Sequence, residues 1–155
     1  MNITDSTDIT LIKELLQHYS LPVADISASS GIDFFSAYER SQLIGVIGLE
    51  TPPAGNTANK HNGMRSALLR SLAVAPEFAR QKVGQSLLSH LEEVASQRHI
   101  THLYLLTETA QQWFAGRGYR VMERDRTPDE LKNCAEFTSL CPASAVLMFK
   151  QIGSG

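Results

Sequence analysis

Apolar and polar positions along this chain follow two periods, and the change between them is sharpest near its middle. From Ala67 to Val74 the residues A-L-L-R-S-L-A-V set Leu68, Arg70, Leu72 and Val74 against Leu69, Ser71 and Ala73. Both rows are mostly apolar, as in a strand buried on both sides. Pro76 lacks an N–H and ends the ladder. After Ala79, Val83, Leu87, Leu88, Leu91, Val94 and Ala95 recur at helical spacing, which predicts a helix over about 82–98.

The remaining pattern sorts the same way. Ile9, Ile12, Leu15, Leu16 and Tyr19 form the stripe of a first helix over 8–19, with Asp5, Ser6 and Asp8 as candidate N-caps. Pro22 opens a short second helix through Ile26. Residues 34–40 and 42–50 read as a β-hairpin turning at Arg40 and Ser41. Gly45 and Gly48 inside the second strand signal a bulge or a close backbone approach. Residues 51–63, rich in Pro, Gly and Asn, form a long loop, either a lid or a tolerated insertion. Residues 101–106 form a strand. A helix begins at Thr107 or Glu108, turns Ala110, Trp113 and Phe114 inward, and ends at Gly116 or Gly118, the latter as a left-handed cap. Strands follow at 119–123 and 143–150, with turns at 125–129, 130–134 and 136–141 between them. A strand–helix–strand crossover flanked by hairpins implies a mixed α/β architecture, with helices on the faces of a sheet that is mostly antiparallel around a parallel pair.

Length and composition narrow the class. A chain of 155 residues is one domain's worth, read here as a single domain over 1–155. Its hydrophobic fraction of 43% and charged fraction of 19% suit a globular protein. A net charge of −2 with scattered basic residues gives nucleic acid no footprint. Met1 to Asp8 is polar and acidic, and no apolar run reaches membrane length, so a cytoplasmic protein without a signal peptide is expected. Cys134 and Cys141 are then expected as free thiols. The histidines at 18, 61, 90, 99 and 102 lack metal-ligand spacing, and no metal is expected.

Chemistry concentrates at the strand–helix turn. A loop that enters a helix through Gln81, Lys82 and Gly84 presents unpaired N–H groups at the positive end of the helix dipole, with Arg80 and Lys82 adding charge. That is an anion site. V-A-P-E-x-x-x-x-x-V-G-x-S-L-L also resembles the acetyl-CoA-binding motif of the GCN5-related N-acetyltransferases (GNAT). The family's loop pattern, Arg/Gln-x-x-Gly-x-Gly/Ala, falls on residues 79–84. Here Ala79 takes the first position, Lys82 the first glycine and Gly84 the last. The element order also resembles that fold, in which the two parallel strands splay around the cofactor. The resemblance implies acetyl-CoA as co-substrate, main-chain contacts from Leu72, Ala73 and Val74, and phosphate amides from Arg80, Gln81, Lys82, Val83, Gly84 and Gln85.

The family's helix motif F-Y-x-x-x-G-F corresponds here to W-F-A-G-R-G-Y, residues 113–119. Phe114 takes the place of the tyrosine that stands beside the cofactor sulfur, and it offers no acid. Glu50, closing a strand near the acceptor side of this fold, is the candidate base or an ordinary strand-end carboxylate. Glu108 reads as a first-turn acid. Arg70 either faces the cleft to bind an anionic acceptor or pairs with a local acid. Together with L-L-R-S-L-A-V-A-P-E and T-E-T-A-x-x-W-F-A-G-R-G-Y, the block E-F-T-S-L-C-P-A-S-A-V-L-M-F-K is similar to the N-acetyltransferases encoded in arsenic-resistance clusters. That implies a small amine acceptor related to amino-acid-like toxins or arsenicals. The expected reaction is direct attack of the amine on acetyl-CoA. The alternative is a CoA-binding module of the same fold without turnover. Paired subunits are common in such folds, so a homodimer is expected.

Overall fold

The computed structural model describes residues 2–6, 9–18, 32–51, 65–78, 82–128, 131 and 144–152. In chain order its elements are β1 (Asn2–Ser6), α1 (Ile9–His18), β2 (Ile32–Glu39), β3 (Gln42–Glu50), β4 (Ser66–Val74), α2 (Val83–Gln97), β5 (His102–Thr107), α3 (Gln111–Ala115), β6 (Arg120–Met122) and β7 (Val146–Gln151). Short 3-10 turns occupy Pro76–Phe78 and Arg124–Arg126. The strands hydrogen-bond in the order β1-β2-β3-β4-β5-β7-β6. β4 and β5 run parallel, with Ser66, Ala67 and Leu68 opposite His102, Leu103 and Tyr104. The pairs β1–β2, β2–β3, β5–β7 and β6–β7 are antiparallel. This is the mixed sheet that the element order predicts. By its contacts the chain falls into two compact units, residues 1–50 with 70–94 and residues 51–69 with 95–155, and β4 contributes to both.

In the first unit, α1 buries Ile12 and Leu16 against Phe34, Val46 and Ala73. Phe35, the next residue on β2, points to the other face, where its ring meets His90 of α2 edge-on at 5.1 Å. Strand alternation thus puts the two helices on opposite sides of β2 and β3. A Cβ on Gly45 would lie 3.0 Å from Leu87 Cδ1 and from Val83 Cγ1, so α2 rests directly on the β3 backbone. The hairpin turns at Arg40 and Ser41, both left-handed (φ 51° and 71°), as a tight primed turn requires.

Two expectations for this unit are corrected. Asp5 and Ser6 are not helix caps, because they belong to β1, paired with Phe35 and Phe34. β1 carries no apolar alternation; its side chains at 2, 4 and 5 are exposed, and a main-chain ladder holds it. The two rows assigned to β4 also shift. Ser71 is left-handed, φ 61°, and this step brings Arg70 onto the same face as Ala73, three residues on. The expected helix at 22–26 lies outside the described residues.

In the second unit, Leu68, Tyr104, Leu131 and Leu147 form the core, with Leu106, Met122 and Phe149 against it. The helix expected from Thr107 starts later, at Gln111. Thr107 closes β5, and its Oγ1 accepts a hydrogen bond from Ala110 N at 3.0 Å, so the hydroxyl organises the turn that a helix start would have occupied. Both helix exits use the same pair of hydrogen bonds. After α2, Ile100 N donates to Ala95 O (2.9 Å) and His99 N to Ser96 O (3.0 Å). After α3, Tyr119 N donates to Phe114 O (3.1 Å) and Gly118 N to Ala115 O (3.3 Å). Each closes on a left-handed residue, Gly118 (φ 94°) as expected and His99 (φ 63°) unheralded. Apart from Thr51 and the buried Leu131, the stretches 51–63, 130–134 and 136–141 lie outside the described residues.

These exits differ in one residue type, and the difference is measurable. A side chain in the left-handed region costs about 1–2 kcal/mol, whereas glycine costs about 0.5–1 kcal/mol of extra chain entropy. His99→Gly should therefore stabilise the protein by about 0.5–1 kcal/mol, and Gly118→Ala should destabilise it by about 1 kcal/mol. Urea titration of both variants checks the signs. A second expectation concerns His102. Burial holds its imidazole below the ordinary value of 6.5. The folded state therefore favours neutral His102, and the unfolded chain takes up the proton first. Its stabilising contribution is full above about pH 6.5 and fades as pH falls through the folded value. Melting curves should show stability declining on acidification through this window, with a shallower decline in His102→Gln.

Candidate active site

The site begins where β4 gives way to α2. Ala75 N donates to Ile44 O at 2.7 Å, the 3-10 turn closes with Phe78 N on Ala75 O at 2.9 Å, and α2 opens with Ser86 N on Lys82 O at 3.0 Å. Lys82 is exposed and left-handed, φ 61°. Val83 is buried against β3, Gly84 is half-buried and Gln85 exposed. The first-turn amides of α2 have no acceptor within the helix, so this turn can receive an anion. Arg80 and Gln81 lie outside the described residues. Along the same helix, Lys82, Gln85, Ser86, Ser89, His90 and Glu93 line an open cleft of about 430 Å³, bounded by Ile3 of β1. Neither β1 nor this cleft has a signal in the hydrophobic pattern.

Upstream on β4, Leu72 and Val74 are half-buried between buried Ser71, Ala73 and Ala75. Glu50 and Arg70, twenty residues apart, meet. Arg70 Nη1 lies 2.9 Å from Glu50 Oε1, and Arg70 Nε donates to Ser71 Oγ at 3.1 Å. The Arg70 side chain has no solvent exposure, while Glu50 keeps 15%. Of the two readings of Arg70, pairing with a local acid is the one found. A buried guanidinium is costly without such a partner. Gly48 makes room for it: a Cβ there would sit 3.3 Å from Arg70 Cγ and 3.1 Å from the Phe34 ring.

In the second unit, Phe114 is buried, with its ring edge-on to Trp113 at 4.9 Å and to Tyr119 at 5.5 Å. Arg117 stacks over Trp113 at 3.9 Å, and Lys150 stands 5.6 Å from the centre of the Tyr119 ring. Tyr119 is thus core, as expected for its place in the motif. Glu108 is not in a helical turn; its Oε1 accepts from Ser144 Oγ at 3.1 Å. Cys134 and Cys141 lie outside the described residues.

Residues 30–121 match the family description "Acetyltransferase (GNAT) domain". The match runs from β2 into β6 and takes in Glu50, Arg70, the β4–α2 turn and Phe114. The chain belongs to the GNAT acetyltransferase family, and as a member it is an acetyl-CoA-dependent N-acetyltransferase. It is similar to an uncharacterised N-acetyltransferase of Chlorobaculum tepidum, 25% identical over 121 residues, 77% of this chain and 71% of that one. Two solved structures share its fold. Rv2747 of Mycobacterium tuberculosis, in complex with CoA, is 16% identical with a TM-score of 0.75, over 98% of this chain and 99% of that one. N-acetylglutamate synthase of Neisseria gonorrhoeae, in complex with coenzyme A and N-acetyl-glutamate, is 18% identical with a TM-score of 0.72, over 98% of this chain. This chain spans only 35% of the length of that synthase chain.

Lys82 stands where the family pattern has glycine, and its backbone already has the glycine-like conformation. Lys82→Gly removes the left-handed penalty and a Cβ from the mouth of the turn. Calorimetry should show acetyl-CoA bound at least as tightly as by the parent. A clear loss would make the lysine side chain itself a phosphate ligand.

Proposed function

We propose that residues 1–155 act as one domain that transfers acetyl from acetyl-CoA to the primary amine of a small, amino-acid-like acceptor in the cytoplasm. The β4–α2 turn carries this reading. It offers an anion-receptive helix start, reached through a left-handed residue, at the position of the family's phosphate loop. In the proposal, Arg80 to Gln85 hold the pyrophosphate, and the β4 main chain at Leu72, Ala73 and Val74 aligns the pantetheine arm and polarises the thioester carbonyl. The neutral amine attacks the carbonyl carbon, the oxyanion collapses, and the C–S bond breaks. The amine's surplus proton passes to water. Phe114 supplies no acid, so CoA leaves as a thiolate, which its low pKa permits. The Glu50–Arg70 pair stands at the acceptor end of the strands.

An amino-acid-like acceptor is supported by two likenesses. One is the resemblance of the C-terminal block, 136–150, to the arsenic-resistance-cluster enzymes. The other is the fold shared with a synthase bound to N-acetyl-glutamate. Binding comes first in the test. Acetyl-CoA titrated into the purified protein should bind in the micromolar range. A screen of amines led by amino acids and their toxic analogues should then release CoA with one class only. Binding without acetylation of any amine would favour the module without turnover, and no binding at all would overturn the proposal.

A further inference from the structure

A left-handed serine inside a buried strand needs a reason to stay there. Ser71 has φ 61° and is 8% exposed. Such a step costs about 1–2 kcal/mol in a residue with a Cβ, and it persists only where surrounding contacts determine it. The contact at hand is Arg70. Its Nε holds Ser71 Oγ at 3.1 Å, and its Nη1 holds Glu50 Oε1 at 2.9 Å. Glu50 ends β3, opposite Ile32 of β2. The guanidinium therefore ties the strained residue to the end of the neighbouring strand.

We propose that Glu50, Arg70 and Ser71 form a polar strut that holds β4 in its left-handed step, so that Glu50 serves the reaction as a positioning residue through Arg70. The catalytic consequence rests on the acetyl-transfer reading. The step lies immediately before Leu72, Ala73 and Val74, the main chain proposed to meet the thioester. A slack strut would let that main chain drift, and misplacement of this kind is expensive at a reacting centre. Glu50 has one carboxylate oxygen committed to a guanidinium with no solvent exposure. The strut needs only an acceptor atom there. It does not need a titrating one.

The test uses the full chain and the variants Glu50→Gln, Glu50→Ala, Ser71→Ala and the double variant Glu50→Ala/Ser71→Gly. Amide NMR shifts of residues 70–74 read the strand with no ligand present. Calorimetry with acetyl-CoA and with CoA reads the site. Glutamine keeps an acceptor oxygen, so Glu50→Gln should retain the parent's shifts. It should also bind acetyl-CoA within about threefold of the parent from about pH 6 to about pH 9. Glu50→Ala should move the shifts of Ser71 and Leu72. It should lose about tenfold in acetyl-CoA affinity, and less in CoA affinity, because CoA lacks the acetyl carbonyl. Adding Ser71→Gly, which holds positive φ without a strut, should restore acetyl-CoA binding. Ser71→Ala removes only Oγ and should move the same shifts, so it carries the test if Glu50→Ala does not fold. Unmoved shifts in both alanine variants would overturn the proposal. So would a Glu50→Gln protein that keeps the parent's shifts yet loses turnover on an amine found by the screen, since that outcome makes Glu50 a base. If the parent binds neither ligand, the acetyl-transfer reading falls, while the ligand-free shifts still decide the strut.

Discussion

A guanidinium with no access to water sits inside β4, and much of the first unit is arranged around its needs. Removing a cation from solvent costs several kcal/mol unless hydrogen bonds and a counter-charge return it. Arg70 gets the counter-charge from the last residue of β3 and a hydroxyl from its own strand. Its aliphatic stem needs space, which only a missing side chain at Gly48 leaves beside the Phe34 ring. Sharing a face with Ala73 requires the left-handed step at Ser71, because plain alternation would send the two to opposite sides. Ala73 in turn completes the core under α1 with Ile12, Leu16, Phe34 and Val46. The polar contact and the apolar core are therefore coupled through one backbone irregularity.

Left-handed residues recur at the joints of this chain, and among the described residues few of them are glycines. Among the described residues, Arg40, Ser41, Ser71, Lys82 and His99 join Gly118 in that region. The joints are secured in different ways, and the two helix exits share one. At Arg40–Ser41 the ladder of β2 and β3 imposes the turn. At His99 and Gly118 two main-chain hydrogen bonds close the helix exit. At Ser71 the guanidinium bridges strand and hydroxyl. Lys82 has the helix that follows it, through Ser86 N on its carbonyl. Strain of this kind is kept where neighbouring contacts leave the chain no alternative.

The parts of this fold legible in the sequence are those written in local periodicity. The stripe of α2, the hairpin at Arg40–Ser41, the close approach at Gly45 and the cap at Gly118 each have a signal within a few residues. β1 had none, because a polar edge strand is held by main-chain bonds to β2 and its side chains say nothing of it. The start of α3 lies later than the sequence suggests, because the Thr107 hydroxyl closes a turn ahead of the helix instead of beginning it. The partner of Arg70 lies twenty residues away on another strand, out of reach of any pattern of spacing. Ser71 did leave a trace, as a second polar residue beside Arg70 in an otherwise apolar strand. A period-2 reading absorbs that trace as alternation and so misses the step.

The aromatic end of the second unit has its own bearing on the proposed reaction. Phe114 is locked between Trp113 and Tyr119, with Arg117 and Lys150 over the outer rings, so the residue in the tyrosine's place packs and does not titrate. An acyl transfer without that acid has one fewer source of transition-state stabilisation. General acid–base assistance contributes about 10²–10⁴-fold where it operates. On the acetyl-transfer reading, that burden shifts to groups that act on the carbonyl oxygen before the thiolate departs. Those are main-chain N–H donors of fixed direction, whose worth depends on not having to reorganise during the reaction. A strand supplies such donors only as well as its own geometry is held. In the proposed reaction, the contacts of Arg70 that accompany the left-handed step at Ser71 therefore also hold the direction of the donors that follow it on the strand.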